Sequence, residues 1–438
     1  MKRLHAIIIA YASLALSVQA QVTSLRECLQ MGLDKNYSLR ITRNEEQVTI
    51  NNATKANAGY LPTVGLSASY GGTLDNTSTT ARESGVTSTD HNFLNQTFNA
   101  GINLDWTLFD GFKISTNYEK LKELRRKGQI MTRIAVEDFM ANLTSEYYNY
   151  VQQKIRLKNL RYAVSLSRER LRIVEERYLI GSFSRLDLQQ ANVDFNSDSS
   201  MYVKQQELLA TSRIRLNELM ANENVNDRIH VKDTVINVEM DLNYGTLWNA
   251  TLQTNASLIQ ASQNKTLAEI DFKSVRSRDY PYVKLNTGYG YTHNRYGVGS
   301  SSKKSDFGLD FGLSVGFKLF DGNRRRERRN AQIAIDNAEL ERQNLQLGLK
   351  SDLSNLWQAY QNNRKLLKLE RENLIAAKEN HLIARERYLL GNLSGIEMRE
   401  AQKSLLDAEE RILTAEYNTK LCEISLLQLS GQITYYLK

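Results

Sequence analysis

Few residues of this chain are of types and spacings that do chemistry. The five histidines, His5, His91, His230, His293 and His381, are scattered, and none stands at metal-ligand spacing from a second donor. Gly288-Tyr289-Gly290 has the small residues of a phosphate loop, but no helix follows where the phosphate would need one, so these glycines read as strand alternation. Arg324, Arg325, Arg326, Arg328 and Arg329 form a basic run of the kind that meets nucleic acid or addresses a chain within the cell. Export of the chain, signalled by its first twenty residues, argues against both uses; contact with acidic lipid headgroups or the wall of a lumen, or a plain solvated helix start, are the readings left. Glu397 and Glu400 stand three apart, on one face of any helix that holds them. No catalytic, cofactor-binding or metal-binding set emerges, and the chain is not expected to be an enzyme or to carry a cofactor.

The first twenty residues combine Lys2 and Arg3, an apolar run from Ala6 to Val18, and Val18-Gln19-Ala20, where small residues suit a signal peptidase. This is an export signal. The run is shorter than the ~20 residues that span a bilayer, and no later segment is long and apolar enough to do so. Cys28 is preceded by Leu25-Arg26-Glu27, two of them charged where a lipidation signal needs small apolar residues, so lipidation is not expected. The only other cysteine is Cys422, and two cysteines make no disulfide framework. The formal charge of +8 is spread along helical stretches where Lys and Arg alternate with Glu, the pattern of solvated helix faces. Only Pro62 and Pro281 interrupt 438 residues, far below the ~5% of average usage, so long unbroken helices are expected.

The chain is written twice. Tyr60-Leu61-Pro62 returns as Asp279-Tyr280-Pro281, Leu108-Phe109-Asp110-Gly111 as Leu319-Phe320-Asp321-Gly322, and Glu176-Arg177-Tyr178-Leu179-Ile180-Gly181 as Glu386-Arg387-Tyr388-Leu389-Leu390-Gly391, all in the same order. A repeat of half the chain is a duplicated unit rather than a solenoid. The expected organisation is a signal peptide over 1–20 and a first repeat over 21–221, with its β-hairpin at 63–109 and long helical hairpin at 113–221. A connector at 222–244 leads to a second repeat over 245–430, with hairpin 282–320 and helical hairpin 323–430, and a tail at 431–438 ends the chain.

Within each repeat the hydrophobic period changes. Leu25 to Gly59 and Leu247 to Arg278 read as helix without breakers, ending at the proline, which lacks a donor and pushes its predecessor out of helical angles. The period then becomes two. Phe98, Ala100, Ile102, Leu104, Trp106 and Leu108 alternate with polar or glycine positions, and Phe307, Leu309, Phe311, Leu313, Val315, Phe317 and Leu319 do the same. Val64 to Tyr70 and Val283 to Tyr291 are their partners, and the Ser/Thr/Asn/Gly-rich connections from Thr73 to Gln96 and from Thr292 to Ser305 read as solvated loops. From Lys113 to Ile180 and from Asn323 to Leu390 the period is helical for nearly seventy residues, roughly 100 Å at 1.5 Å per residue. Leu157, Leu160, Val164, Leu171, Val174 and Tyr178 fall at coiled-coil spacing, with Ser167 the polar exception. Gly181 and Gly391 suit the left-handed stop of each long helix, and Ser184 and Ser394 suit the cap of the returning one.

Four strands with one apolar face leave two edges, which lipid does not tolerate. Closure requires further copies: two would give eight strands filled by side chains, and three would give twelve and leave a lumen. The strand length matches an outer membrane, and Tyr70, Trp106, Tyr289 and Tyr291 are types that favour its interfaces.

The duplicated order, the proline before each hairpin, and Arg-Tyr-x-x-Gly-x-x-Ser at both helical turns resemble the TolC family of outer-membrane channels over essentially the whole mature chain. The resemblance implies an α+β membrane protein, a homotrimer whose twelve-stranded β-barrel is continuous with a long periplasmic α-barrel, and an outer-membrane location. It implies partnership with a periplasmic adaptor protein and an inner-membrane RND or ABC pump, and the role of a passive exit duct for efflux. Protein secretion through the same architecture is the nearest alternative, and a periplasmic coiled-coil scaffold is the alternative of another class. The resemblance places Glu397 and Glu400 at the constriction, where threefold symmetry would gather six carboxylates, favour cations and raise some of their pKa values. It makes Asp187 and Tyr388 a closing link, Gly181, Ser184, Gly391 and Ser394 the adaptor-docking tips, and 222–244 and 431–438 parts of an equatorial belt. Glu stands at 397 and 400 where the family has Asp, and Leu393 where it has a linking arginine.

Overall fold

The computed structural model describes residues 22–238 and 241–437; the expected export signal lies outside them. The chain forms two compact units, each drawing on both repeats: one from 45–129 and 261–342, the other from the segments before 45, 130–260 and 343 onward.

The first of these units holds the four-stranded sheet. Strands β2 (Thr63–Thr80), β3 (Thr87–Phe109), β5 (Tyr282–Arg295) and β6 (Lys303–Gly316) are antiparallel in the order β2-β3-β5-β6. Register explains why the alternation matters. Leu66 pairs with Ile102, Ile102 with Tyr289, and Tyr289 with Leu309, so one apolar row crosses all four strands. Trp106, Leu285 and Leu313 form a parallel row. The intervening rows are glycine or polar: Gly101, Gly290 and Gly308 lie side by side, as do Asn103, Gly288 and Asp310. On that face Asn103 donates to Ser67 at 2.7 Å and Thr292 to Asn99 at 2.8 Å. Gly101 and Gly290 must be small, since a Cβ on Gly101 would stand 2.9 Å from the Gly290 Cα. The apolar face is uncovered, with Leu66, Leu309 and Phe311 all strongly exposed.

The strands run further than polarity alone predicts. Residues expected as solvated connections pair as far as Thr80 with Thr87 and Arg295 with Lys303, leaving turns only over 81–86 and 296–302. Threonine is β-branched and at home in strands, and its hydroxyls pair across the ladder, Ser78 with Thr89 at 3.3 Å and Thr80 with Thr87 at 2.9 Å. A bulge between Asp75 and Thr77 is held by Asn92, at φ 51°, whose N–H donates to the Asn76 side chain. In the other direction β6 stops at Gly316, three residues short of the expected Leu319. Its neighbour begins at Tyr282, directly after Pro281, and there is no strand beyond for Phe317 to Leu319 to pair with.

Each helix before a hairpin is also broken where none was expected. The first is α1 (Leu25–Lys35), α2 (Tyr37–Asn52) and α3 (Lys55–Ala58); the second is α6 (Tyr244–Thr254) and α7 (Ala256–Arg276), followed by a 3₁₀ turn to Asp279. Thr54 caps α3, while the first break in each falls on Asn36 and Asn255, whose side chains cap the next helix by accepting from the N–H of Leu39 and Leu258. Their amides donate to the carbonyls of Leu219 and Leu429 at 3.1 and 2.9 Å. The recurring Asn-x-Ser-Leu at 36–39 and 255–258 is the signal for this. Gly111, at φ 71°, is the tightest point of the junction after β3: a Cβ there would lie 2.1 Å from the Ser277 carbonyl. Among the described residues no helix is long and apolar enough to cross a membrane.

The second unit holds the greater part of the long helices. α4 (Lys113–Leu179) and α5 (Arg185–Leu219) make the first hairpin, α8 (Arg324–Leu389) and α9 (Gly395–Leu429) the second. Its core joins Leu25, Cys28, Leu29, Met140, Leu143, Tyr147, Val151, Leu216, Ile424 and Ile433. Strand β1 (Val22–Thr23) pairs in parallel with β4 (His230–Val231) beside it. Cys28 and Cys422 are both free, and burial pushes the Cys28 thiol up to about 12. Of the coiled-coil stripe, Val174 and the polar Ser167 are buried while Tyr178 is exposed; Ser167 is accommodated because its hydroxyl donates back to the Ala163 carbonyl at 3.1 Å.

Candidate functional site

The two helical turns are built alike. Gly181 and Gly391 adopt φ of 75° and 80°, and the following N–H groups of Ser182 and Asn392 close onto the carbonyls of Arg177 and Arg387 at 2.8 Å, satisfying carbonyls that the helix end would leave bare. Ser184 and Ser394 then start α5 and α9 with capping boxes. The Ser184 N–H donates to Asp187 at 2.9 Å while the Asp187 N–H donates to Ser184 Oγ at 3.2 Å; Ser394 and Glu397 repeat this at 3.0 and 3.2 Å.

Capping lowers the pKa of two expected site residues within the protomer. The backbone and hydroxyl of Ser394 hold the Glu397 carboxyl below its ordinary range, and the hydroxyl and backbone of Ser184 do the same for Asp187. The upward shift expected where three copies gather these carboxylates belongs to the trimer; within one protomer the hydrogen bonds from Ser394 to the charged form act against it. Glu400 is exposed one turn further along α9.

The expected link between Asp187 and Tyr388 is not made. Asp187 is engaged by its own helix start, while Tyr388 is almost fully buried and its hydroxyl has no hydrogen-bond partner. Burial raises the Tyr388 pKa. What lies on Tyr388 instead is Arg177, with its guanidinium 5.5 Å from the Tyr388 ring and 5.3 Å from that of Phe183. Its Nη2 donates to the carbonyls of Tyr388 and Leu389 at 3.3 and 3.1 Å. One arginine therefore caps the end of α8 from α4 and joins the two turns. Ala384, Tyr388, Met398 and Ala401 form a small apolar cluster there, with Ile173, Phe183 and Leu393 against it; Leu393 contributes packing, not charge.

Further along the same helices lies a set of charge pairs, several of their members buried, that no spacing in the sequence announces. Arg170 pairs with Asp194, Arg399 makes a two-pronged contact with Asp198, and Arg385 reaches Glu169 at 3.0 Å. Partners 201 residues apart, as Arg399 and Asp198 are, carry no local signature. His381, the one buried histidine among the described residues, has its pKa pushed below the usual histidine range by burial and by Arg385. Pro62 and Pro281 stand directly before β2 and β5. In the arginine run, Arg324 and Arg328 pair with Asp279 at the end of the 3₁₀ turn, and Arg278 pairs with Glu327 at 2.5 Å. An acidic neighbour thus offsets the cost of cations at a helix start, while Arg325, Arg326 and Arg329 remain exposed.

A duplicated chain of long helical hairpins with a one-face-apolar, open-edged sheet is matched by known proteins. The family model of outer membrane efflux proteins matches residues 28–222 and 247–432. The chain is similar to outer membrane protein TolC of Vibrio cholerae, at 20% identity over 443 positions that cover 99% of this chain and 96% of the relative. Among solved structures it is similar to a membrane protein from Pseudomonas aeruginosa, with a TM-score of 0.76 and 17% identity over 93% of this chain and 90% of the other. It is likewise similar to the CmeC outer membrane channel of Campylobacter jejuni, with a TM-score of 0.75 and 18% identity over 95% and 90%. The chain belongs to the outer membrane efflux protein family and serves as an outer-membrane exit duct of efflux pumps.

Proposed function

We propose that three copies close their sheets edge to edge into a twelve-stranded barrel, and that the helical hairpins continue it as a periplasmic conduit that passes substrates passively and does no chemistry. The observation that carries this is the pair of open edges, β2 and β6, on a sheet crossed by a continuous apolar row, Leu66, Ile102, Tyr289 and Leu309. In lipid every backbone donor and acceptor needs a partner, and only other copies supply one to both edges. Each repeat, 21–221 and 245–430, would contribute one β-hairpin and one helical hairpin, with 222–244 and 431–438 around the equator. The uncovered rows would face lipid, and the exposed Arg325, Arg326 and Arg329, close in sequence to the end of β6, suit acidic headgroups at its edge. A periplasmic scaffold has no use for such a face.

At the turns, Gly181, Ser184, Gly391 and Ser394 would form the tips that meet a periplasmic adaptor, itself bound to an inner-membrane RND or ABC pump. Glu397 and Glu400 would line the periplasmic aperture of the trimer and favour cations. Single-channel recording in planar bilayers tests this. Glu397→Gln is a clean probe because Gln also serves as the third residue of a capping box. The E397Q/E400Q channel is expected to lose most of its preference for cations over anions while keeping the trimer mass of the wild type. An unchanged preference would place these carboxylates away from the narrowest point.

A further inference from the structure

Arg399 lies between Glu397 and Glu400 in sequence but points elsewhere. Its Nη1 and Nη2 donate to Oδ2 and Oδ1 of Asp198, each at 2.8 Å, and its Nε lies 3.8 Å from Asp194 Oδ1. Asp194 is held from its other side by Arg170. Asp198 is fully buried, and Asp194 and Arg170 nearly so. Two arginines and two aspartates therefore join three helices: α4 and α5 of the first hairpin and α9 of the second. No other charged contact among the described residues joins α5 to α9.

The physical role of such a set is specific. A buried ion pair adds little net stability over a well-packed apolar replacement, so stability alone is a weak reason for it. What a planar fork on a carboxylate does supply is geometry, since two parallel N–H···O bonds fix both distance and rotation. On an α-helix, residues two before and one after Arg399 point well away from it. Seating Arg399 on Asp198 turns Glu397 and Glu400 outward, and both are exposed. The turn offers no second charged hold on α9: Arg177 reaches only the end of α8, Asp187 and Tyr388 are not bonded, and Leu393 is apolar.

We infer that Arg399 is the positioning residue of the aperture: by clasping Asp198 it holds the returning helix of the second hairpin against the first, and so aims Glu397 and Glu400. This rests on the aperture reading above. The experiment is planar-bilayer recording of the full-length detergent-extracted channel, comparing wild type with E397Q/E400Q, R399K, R399Q and D198N/R399Q. Releasing the clasp is expected to raise conductance several-fold and to weaken cation preference in both R399Q and D198N/R399Q. R399K keeps the charge without the fork and should fall between them and wild type. Because R399Q strands a buried carboxylate, it can fail to assemble for that reason alone; the double variant removes both charges and then decides the question. If E397Q/E400Q alters selectivity but D198N/R399Q conducts and selects like the wild type, the clasp is merely structural and the inference is overturned. If E397Q/E400Q also leaves selectivity unchanged, the aperture reading fails first, and the inference with it.

Discussion

Lys420→Met is expected to destabilise the helical unit by about 3–5 kcal/mol, the cost of leaving one partner of a buried ion pair uncompensated. Lys420 donates to Glu423 at 2.5 Å, and both side chains are buried. Its ammonium also lies 5.0 Å from the Tyr148 ring and 5.2 Å from that of Tyr436, whose hydroxyl donates to the same Glu423 carboxylate at 2.7 Å. Burial and that carboxylate push the Tyr436 pKa up, so the phenol stays a donor and cannot take over the lysine's charge. Methionine replaces the stem but strands Glu423. Amide hydrogen exchange near the end of α9 and in the closing 3₁₀ turn Ile433–Leu437 is the measurement. Protection there should fall on the order of a hundredfold or more, since each 1.4 kcal/mol is a factor of ten. The K420M/E423Q double variant should recover most of the loss. Wild-type protection in K420M would mean the cluster opens without disturbing the fold.

Leu309→Arg is expected to cost about 2–4 kcal/mol, the range for a cation at the midplane of a membrane barrel's lipid face. Leu309 is near the middle of β6, paired with Tyr289 and 68% exposed in the protomer. Its neighbour Asp310 pairs with Gly288 on the opposite face, where Asp310→Asn should be tolerated. The amount of each variant recovered from outer-membrane fractions distinguishes the faces. Severe loss for L309R beside near-normal D310N is the expected outcome; equal recovery of both would mean that the apolar rows do not meet lipid.

Much of the architecture is legible because it depends on single residues or on simple periods. The two prolines mark where helix yields to strand, Gly181 and Gly391 mark where the long helices turn, and period-two alternation names the sheet's apolar face before any pairing is known. Strand ends are less legible. Polarity suggests loops over 73–96, whereas threonine's β-branched side chain sustains a solvated ladder as far as Thr80; conversely, alternation through Phe317 and Leu319 continues past the point where Pro281 leaves β6 without a partner. Asn36 and Asn255 are readable in principle from their repeated Asn-x-Ser-Leu, yet asparagine in a polar helix is easily taken for a solvated residue. At the turns, the capping serines follow from local spacing. The Arg399–Asp198 clasp does not, because its members are 201 residues apart and each has ordinary charged neighbours. For the same reason, Asp187 as a helix cap competes with Asp187 as a link to Tyr388, and only the folded turn shows that the cap prevails.

Whether this chain is one third of an outer-membrane duct is tested most directly by the mass of the detergent-extracted protein from outer-membrane fractions before and after boiling. A species of three times the chain mass that collapses to one chain on heating is the predicted result. A monomer or dimer recovered from the soluble periplasm would contradict the barrel and leave the open edges of β2 and β6 unexplained.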